Sequence, residues 1–126
     1  MIVRELVGGE VVTIESHKAL REAARLMSEC QVGSLAVSRS ARPVGIVTER
    51  DVLRACAEGA DLDSASVAGW MTKDPDSLAP EMTVEAPADW MPAAGYRHLP
   101  VLDGVNLVGM VSIKDVLWGL TEPSSE

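Results

Sequence analysis

The stretch Gly45-Ile46-Val47-Thr48-Glu49-Arg50-Asp51-Val52-Leu53 returns 64 positions later as Gly109-Met110-Val111-Ser112-Ile113-Lys114-Asp115-Val116-Leu117. The same offset lays Leu35-Ala36-Val37 on Leu99-Pro100-Val101, and Met27 on Met91, without a gap. A repeat at fixed spacing is one supersecondary unit made twice. With 126 residues in all, each copy has about 50, too few to bury a sufficient core alone. Two copies therefore predict halves that pack their open apolar sheet faces together, with two equivalent clefts.

Periodicity and punctuation give each copy the order β-α-β-β-α. Residues 1–10 are a short lead broken at Gly8-Gly9. Val11-Val12-Thr13-Ile14 is β-branched and reads as a strand. A helix is expected over 17–30, with Ser16 as N-cap and Leu20, Ala23, Ala24 and Met27 on one face. Strands follow at 34–38 and 43–48 around a turn at Arg39-Ser40-Ala41-Arg42, then a helix over 49–58 stopped by Gly59. The second copy repeats this with a strand at 76–78, a helix at 83–94, strands at 99–102 and 107–112, and a helix at 114–120. The organisation expected is a first repeat with its lead at 1–59, a linker at 60–70 anchored by Val67 and Trp70, a second repeat at 71–121, and a frayed tail at 122–126. Pro92 sets up one conflict. It lacks an N–H and clashes with the carbonyl of Ala88, so the helix there is expected to kink or end early.

Hydrophobic residues make up 47% of the chain, enough for a core, and the net charge is −8. That charge argues against nucleic acid or an anionic membrane as a partner. No apolar run approaches the roughly 20 residues of a membrane span, and the N-terminus lacks a signal-peptide layout. Cys30 and Cys56 form no Cys-x-x-Cys pair and fall where a helix would bury a small residue, so neither a metal nor a disulfide is expected. The chain reads as cytoplasmic.

Thr48-x-x-Asp51 and Ser112-x-x-Asp115 sit where a strand passes into a helix, which makes each a capping box. The duplication, the preceding Gly-led strand and the adjacent cations Arg50 and Lys114 add a second reading. The carboxyl ends of strands in α/β proteins are ligand sites. A carboxylate suits a ribose diol, and a cation beside a helix N-terminus suits a phosphate. Tyr96-Arg97-His98 precedes a strand and offers another phosphate clamp. His98 would hold phosphate more strongly below about pH 6.5. The matching Val32-Gly33-Ser34 has no cation and offers bare backbone instead. His17 and His98 are the only histidines. They join no catalytic constellation, and no Walker or dinucleotide loop is present. The chain reads as non-enzymatic.

The paired loops, the run Arg97-His98-Leu99-Pro100-Val101 and the segment Trp70-Met71-Thr72-Lys73-Asp74-Pro75 together resemble a tandem cystathionine-β-synthase (CBS) domain pair, the Bateman module. The resemblance covers residues 10 to 120. It implies an α/β (α+β) fold of two β-α-β-β-α repeats packed through their sheets with pseudo-two-fold symmetry. It also implies a homodimer forming a four-repeat disc, and a sensor that binds an adenosine-containing ligand: AMP, ADP, ATP or S-adenosylmethionine. No cofactor is required, and a separate effector protein would be the regulated partner. Carried over by position, one cleft would use Ile46, Thr48, Arg50 and Asp51 with Ser77, Tyr96, Arg97, His98 and Pro100. The other would use Met110, Ser112, Lys114 and Asp115 with Thr13, Val32, Gly33 and Ser34. The first has more cations and suits a phosphorylated ligand. Leu35-Ala36-Val37 departs from the family, which often has Pro in the middle. The alternative is a ligand-free dimerisation scaffold, in which the caps are only caps.

Overall fold

The computed structural model describes residues 1–7 and 11–121, so the Gly8-Gly9 break and the 122–126 tail lie outside the described residues. The chain forms two compact units. One is Val11–Pro75; the other joins the described parts of Met1–Glu10 and Asp76–Glu126. Residues 1–7 therefore group with the second copy, whereas the repeat boundaries expected from the sequence put the lead with the first.

In the unit Val11–Pro75, strand β1 (Thr13–Glu15) leads to helix α1 (Leu20–Cys30), strands β2 (Ser34–Arg39) and β3 (Arg42–Thr48), and helix α2 (Glu49–Ala57). A four-residue helix α3 (Val67–Trp70) and strand β4 (Thr72–Lys73) complete it. The sheet order is β1-β2-β3-β4, with β1 parallel to β2 and the other pairs antiparallel. Leu20, Ala23 and Met27 of α1 are buried against Leu35, Val37 and Val47, while Ala24 is half-buried. Helix α1 starts three residues later than the expected 17, and Ser16 is not its cap. The Ser16 N–H continues the sheet ladder to the Ser38 carbonyl at 2.9 Å. The orphan N–H groups of the first turn go instead to linker carbonyls, Leu20 to Ala65 (2.9 Å) and Arg21 to Leu62 (3.1 Å). The hairpin turn shrinks to Ser40-Ala41, both at positive φ.

The other unit holds α4 (Glu85–Ala94), the hairpin β5 (His98–Asp103) and β6 (Asn106–Ser112), and α5 (Ile113–Thr121). The strand expected at 76–78 is reduced to a single bridge, Leu78 beside Val101. Two prolines cause this. In the first unit the corresponding strand is extended by Ser16 N–H to Ser38 and Ala36 N–H to Val12. The 64-residue offset puts Pro80 and Pro100 at those two donor positions, and proline has no N–H to give. Only Leu78 N–H to Pro100 and Leu102 N–H to Leu78 remain, both at 2.9 Å.

Helix α4 does not end early at Pro92. It runs on to Ala94, level with the end of α1 at Cys30. Pro92 is exposed and two residues from the end. The last turn is closed from beyond it, by Gly95 N–H to Pro92 (3.2 Å) and Tyr96 N–H to Met91 (2.9 Å), with Gly95 at φ +81°. The cysteines are a second correction. Both are exposed, Cys30 at the last position of α1 and Cys56 near the end of α2.

The leading segments are exchanged. The 3-10 turn Val3–Leu6 packs with residues 76–121, and its counterpart 64 residues on, α3, packs with residues 11–57. The hydrogen bonds repeat in pairs. Val3 N–H bonds Met82 and Arg4 N–H bonds Pro80; Val67 N–H bonds Lys18 and Ala68 N–H bonds Ser16. Val84 N–H bonds Met1 as Leu20 N–H bonds Ala65. Val3 and Val67 are both fully buried, each contributing about 1.5–3 kcal/mol of apolar burial.

Where each segment continues, it passes a glycine. A Cβ built on Gly45 would lie 2.6 Å from the Thr72 carbonyl oxygen and 2.8 Å from Met71 Sδ; one on Gly109 would strike Val7. Gly45→Ala should therefore cost about 1–3 kcal/mol, because the Thr72 oxygen is backbone and paired in the β3–β4 ladder. A urea unfolding curve checks this; an unchanged midpoint would mean that β4 does not hold its place against β3.

Candidate functional site

Each unit carries one loop of the expected type, and both loops are capping boxes. Thr48 caps α2. Its Oγ1 accepts the Asp51 N–H (3.3 Å), and Asp51 Oδ2 accepts the Thr48 N–H (2.9 Å) and the Thr48 hydroxyl (3.2 Å). Ser112 and Asp115 repeat the pattern, with Ser112 N–H to Asp115 Oδ2 at 2.9 Å and Asp115 N–H to Ser112 Oγ at 3.1 Å. The helix-end reading is thus realised at both copies. It leaves each carboxylate a second oxygen, Oδ1, outside the cap.

The strands bring partners to these loops. Ser34, buried, pairs directly with Thr48, and the Gly33 carbonyl accepts the Glu49 N–H at 3.0 Å. His98, half-buried, pairs with Ser112, and the Arg97 carbonyl accepts the Ile113 N–H at 2.8 Å. Pro100 lies opposite Met110. Residues that the sequence assigned to different clefts are therefore cross-strand neighbours within one unit. Ile46 is buried in the middle of β3, opposite Ala36 and Thr72. Thr13, Val32, Ser77, Arg50, Arg97 and Lys114 are exposed. The two cations next to the capping carboxylates thus stand in solvent at the first turn of a helix, where an anion is favoured.

Three contributors escaped the sequence reading. Arg54 donates to Asp51 Oδ1 at 3.3 Å and to the Trp70 carbonyl at 3.2 Å, and its guanidinium lies 5.1 Å from the centre of the Trp70 ring. The i,i+3 spacing of Asp51 and Arg54 was a usable signal. Trp70 was foreseen only as a packing anchor. Asp76 accepts the Tyr96 hydroxyl at 2.6 Å across 20 residues, a pairing with no local signature, and Tyr96 meets Trp90 edge-to-face at 5.8 Å. Among the described residues no group of His, Cys, Asp and Glu could hold a metal ion. No described helix is long and apolar enough to cross a membrane.

The CBS domain family matches this chain twice, over residues 3–58 and 66–122. The chain belongs to the CBS-domain family. Both CBS matches begin at or just before a leading segment, Val3–Leu6 or α3, so the family's repeat includes the segment that each unit takes from the other copy. The CBS pair is 37% identical to an uncharacterized 17.7 kDa protein of Acidianus ambivalens, over 95% of this chain and 73% of that one. It is 35% identical to an inosine-5'-monophosphate dehydrogenase of Korarchaeum cryptofilum, over 90% of this chain but only 23% of the enzyme. A CBS domain protein of Pyrobaculum aerophilum, solved in complex with AMP, superposes with a TM-score of 0.85 at 29% identity, covering 91% of this chain and 89% of that one.

The Tyr96 contact can be read directly, because Tyr96 is the only tyrosine. Its hydrogen bond to Asp76, with burial and the carboxylate charge acting the same way, raises its pKa above the ordinary 10.0. A raised pKa favours the neutral phenol, so this contact stabilises the fold below pH 10 and is lost as pH rises through the folded value. Absorbance titration of tyrosinate should give a midpoint above 10.0 that falls back toward it in Asp76→Ala. Identical midpoints in the two proteins would remove the bond.

Proposed function

We propose that this CBS pair is a non-enzymatic regulatory module that binds an adenosine-containing ligand: AMP, ADP, ATP or S-adenosylmethionine. The observation that carries the reading is the AMP complex of the Pyrobaculum protein, whose fold this chain shares along most of its length. The chemistry of the loops supports it. Asp51 and Asp115 each keep an oxygen outside the cap for ribose hydroxyls. Thr48 with Arg50, and Ser112 with Lys114, stand at helix N-termini that favour phosphate. Arg97, His98 and Tyr96 are proposed as further phosphate contacts, with Ile46, Pro100 and Met110 against the base. Ser77, Thr13, Val32, Gly33 and Ser34 complete the proposed contact set. The greater number of cations assigned with Asp51 favours that set for a charged ligand.

The match to a quarter of a dehydrogenase fits a role as a regulatory part that acts on other chemistry. Ligand would then shift the module between two arrangements in proportion to its preference for one of them. Exposed Leu117 and Trp118 on α5 and Leu53 on α2 favour a second reading alongside the first, self-association into a homodimer or contact with a separate effector protein.

A thermal-shift panel of AMP, ADP, ATP, S-adenosylmethionine and GTP separates the readings. A ligand at 100 times its dissociation constant adds about 2.7 kcal/mol, a rise of several degrees. Asp51→Ala and Asp115→Ala should each weaken adenosine-ligand binding at their own loop by about 1–3 kcal/mol by calorimetry. No shift with any adenosine compound leaves the ligand-free scaffold as the function.

A further inference from the structure

The two loops are copies, yet their carboxylates are not equally open. An ionised carboxylate has about four lone-pair positions. At Asp51 the Thr48 N–H and hydroxyl take two on Oδ2, and the Arg54 guanidinium takes one on Oδ1. At Asp115 the Ser112 N–H takes one on Oδ2, and Oδ1 has no hydrogen-bond partner among the described residues. The difference has a sequence cause: Arg54 corresponds, 64 residues on, to Trp118, which carries no cation and is exposed. A vicinal diol brings two donors and needs two acceptor positions on the same side.

We propose that Arg54 is a specificity-determining residue, competing with a ribose diol for Asp51 Oδ1 and making the Asp51 loop the weaker of the two for uncharged adenosine compounds. The inference rests on the adenosine-ligand reading above. Arg54 is half exposed, but it is not a free-swinging side chain. Its Nη2 is shared between Asp51 Oδ1 and the Trp70 carbonyl, and its plane is held near the Trp70 ring. Asp51 itself is mostly covered, with a side-chain exposure of 14%, so its cap-bound Oδ2 offers little room for a second ligand donor. A diol must therefore turn Arg54 away from Oδ1, whereas Asp115 accepts one with no competing donor among the described residues. A single hydroxyl needs only the remaining lone pair of Oδ1 and does not displace the guanidinium. Charged ligands stand apart, because for them the same cation adds attraction.

Calorimetry in an Asp115→Ala background isolates the Asp51 loop, with adenosine and 2′-deoxyadenosine as probes. Arg54→Ala should tighten adenosine by about two- to fivefold, the range of an exposed ion pair, and leave 2′-deoxyadenosine unchanged. Arg54→Gln, which keeps the stem near Trp70, should act in the same direction. Adenosine affinity that is unchanged or weaker in both variants, while Asp51→Ala still weakens it, overturns the role of Arg54 alone. An equal gain for both nucleosides overturns it too, since competition for a diol would then not be the cause. If no variant binds either nucleoside or AMP, both this inference and the adenosine reading fall.

Discussion

Everything in this fold is arranged around a pair of borrowed segments. Each unit has a strand with a glycine in its middle, Gly45 in β3 or Gly109 in β6, and the chain that packs over that glycine comes from the other copy's lead. Backbone bonds fix the segment, with Val3 N–H on Met82 and Val67 N–H on Lys18, each at 2.8 Å. One fully buried valine then seals it. Cutting the chain between its sequence repeats would therefore strip each body of a buried residue and leave the first-turn N–H groups of α1 and α4 without the carbonyls of Ala65 and Met1. That loss matters in a half of this size, where burial only narrowly exceeds the entropy of ordering the chain.

The same economy governs the loops. A capping carboxylate contributes on the order of 1 kcal/mol to its helix and does so with one oxygen, as Asp51 Oδ2 and Asp115 Oδ2 do here. The remaining oxygen is fixed in place by the cap without being used by it. A rigid acceptor at the N-terminus of a helix, beside a cation, is already ordered before a ligand arrives, so binding loses less side-chain entropy than it would at a mobile carboxylate. The structural role and the proposed ligand role are therefore not rivals for the residue. The first is what makes the second efficient.

The caps, the hairpins and the buried face of α1 were legible in the sequence because each is local: a hydroxyl three residues before an acid, an alternation of period two, small residues at helical spacing. What was not legible depends on partners far along the chain. Ser16 looks like an N-cap until its N–H is found in the sheet and the helix start is found bonded to Ala65 and Leu62. Pro92 looks like a breaker, yet a residue two places from a helix end sacrifices little, and Gly95 closes the turn behind it. Cys30 and Cys56 were assigned to a buried face that their helices do not present to the core. Of the site, the two Asp loops could be read and the hold of Arg54 on Asp51 could have been. The Tyr96–Asp76 bond could not, since nothing within four residues of either announces it.

The copies differ most where a single side chain alters backbone or lone-pair accounting without touching the shared core. Buried positions keep their chemistry across the offset: Met27 with Met91, Leu35 with Leu99, Val37 with Val101 and Val47 with Val111. Pro80 and Pro100 each delete one ladder donor and shorten a strand, while Leu78 stays as buried as Ile14. Arg54 in place of a tryptophan fills one lone pair on a carboxylate, while the cap beneath it keeps the same 2.9 Å bond to Oδ2. Duplication followed by changes of this kind yields two loops of one geometry and unequal chemistry. On the proposed adenosine reading, that inequality is what would let one module respond differently to ligands of different charge, which two identical loops could not do.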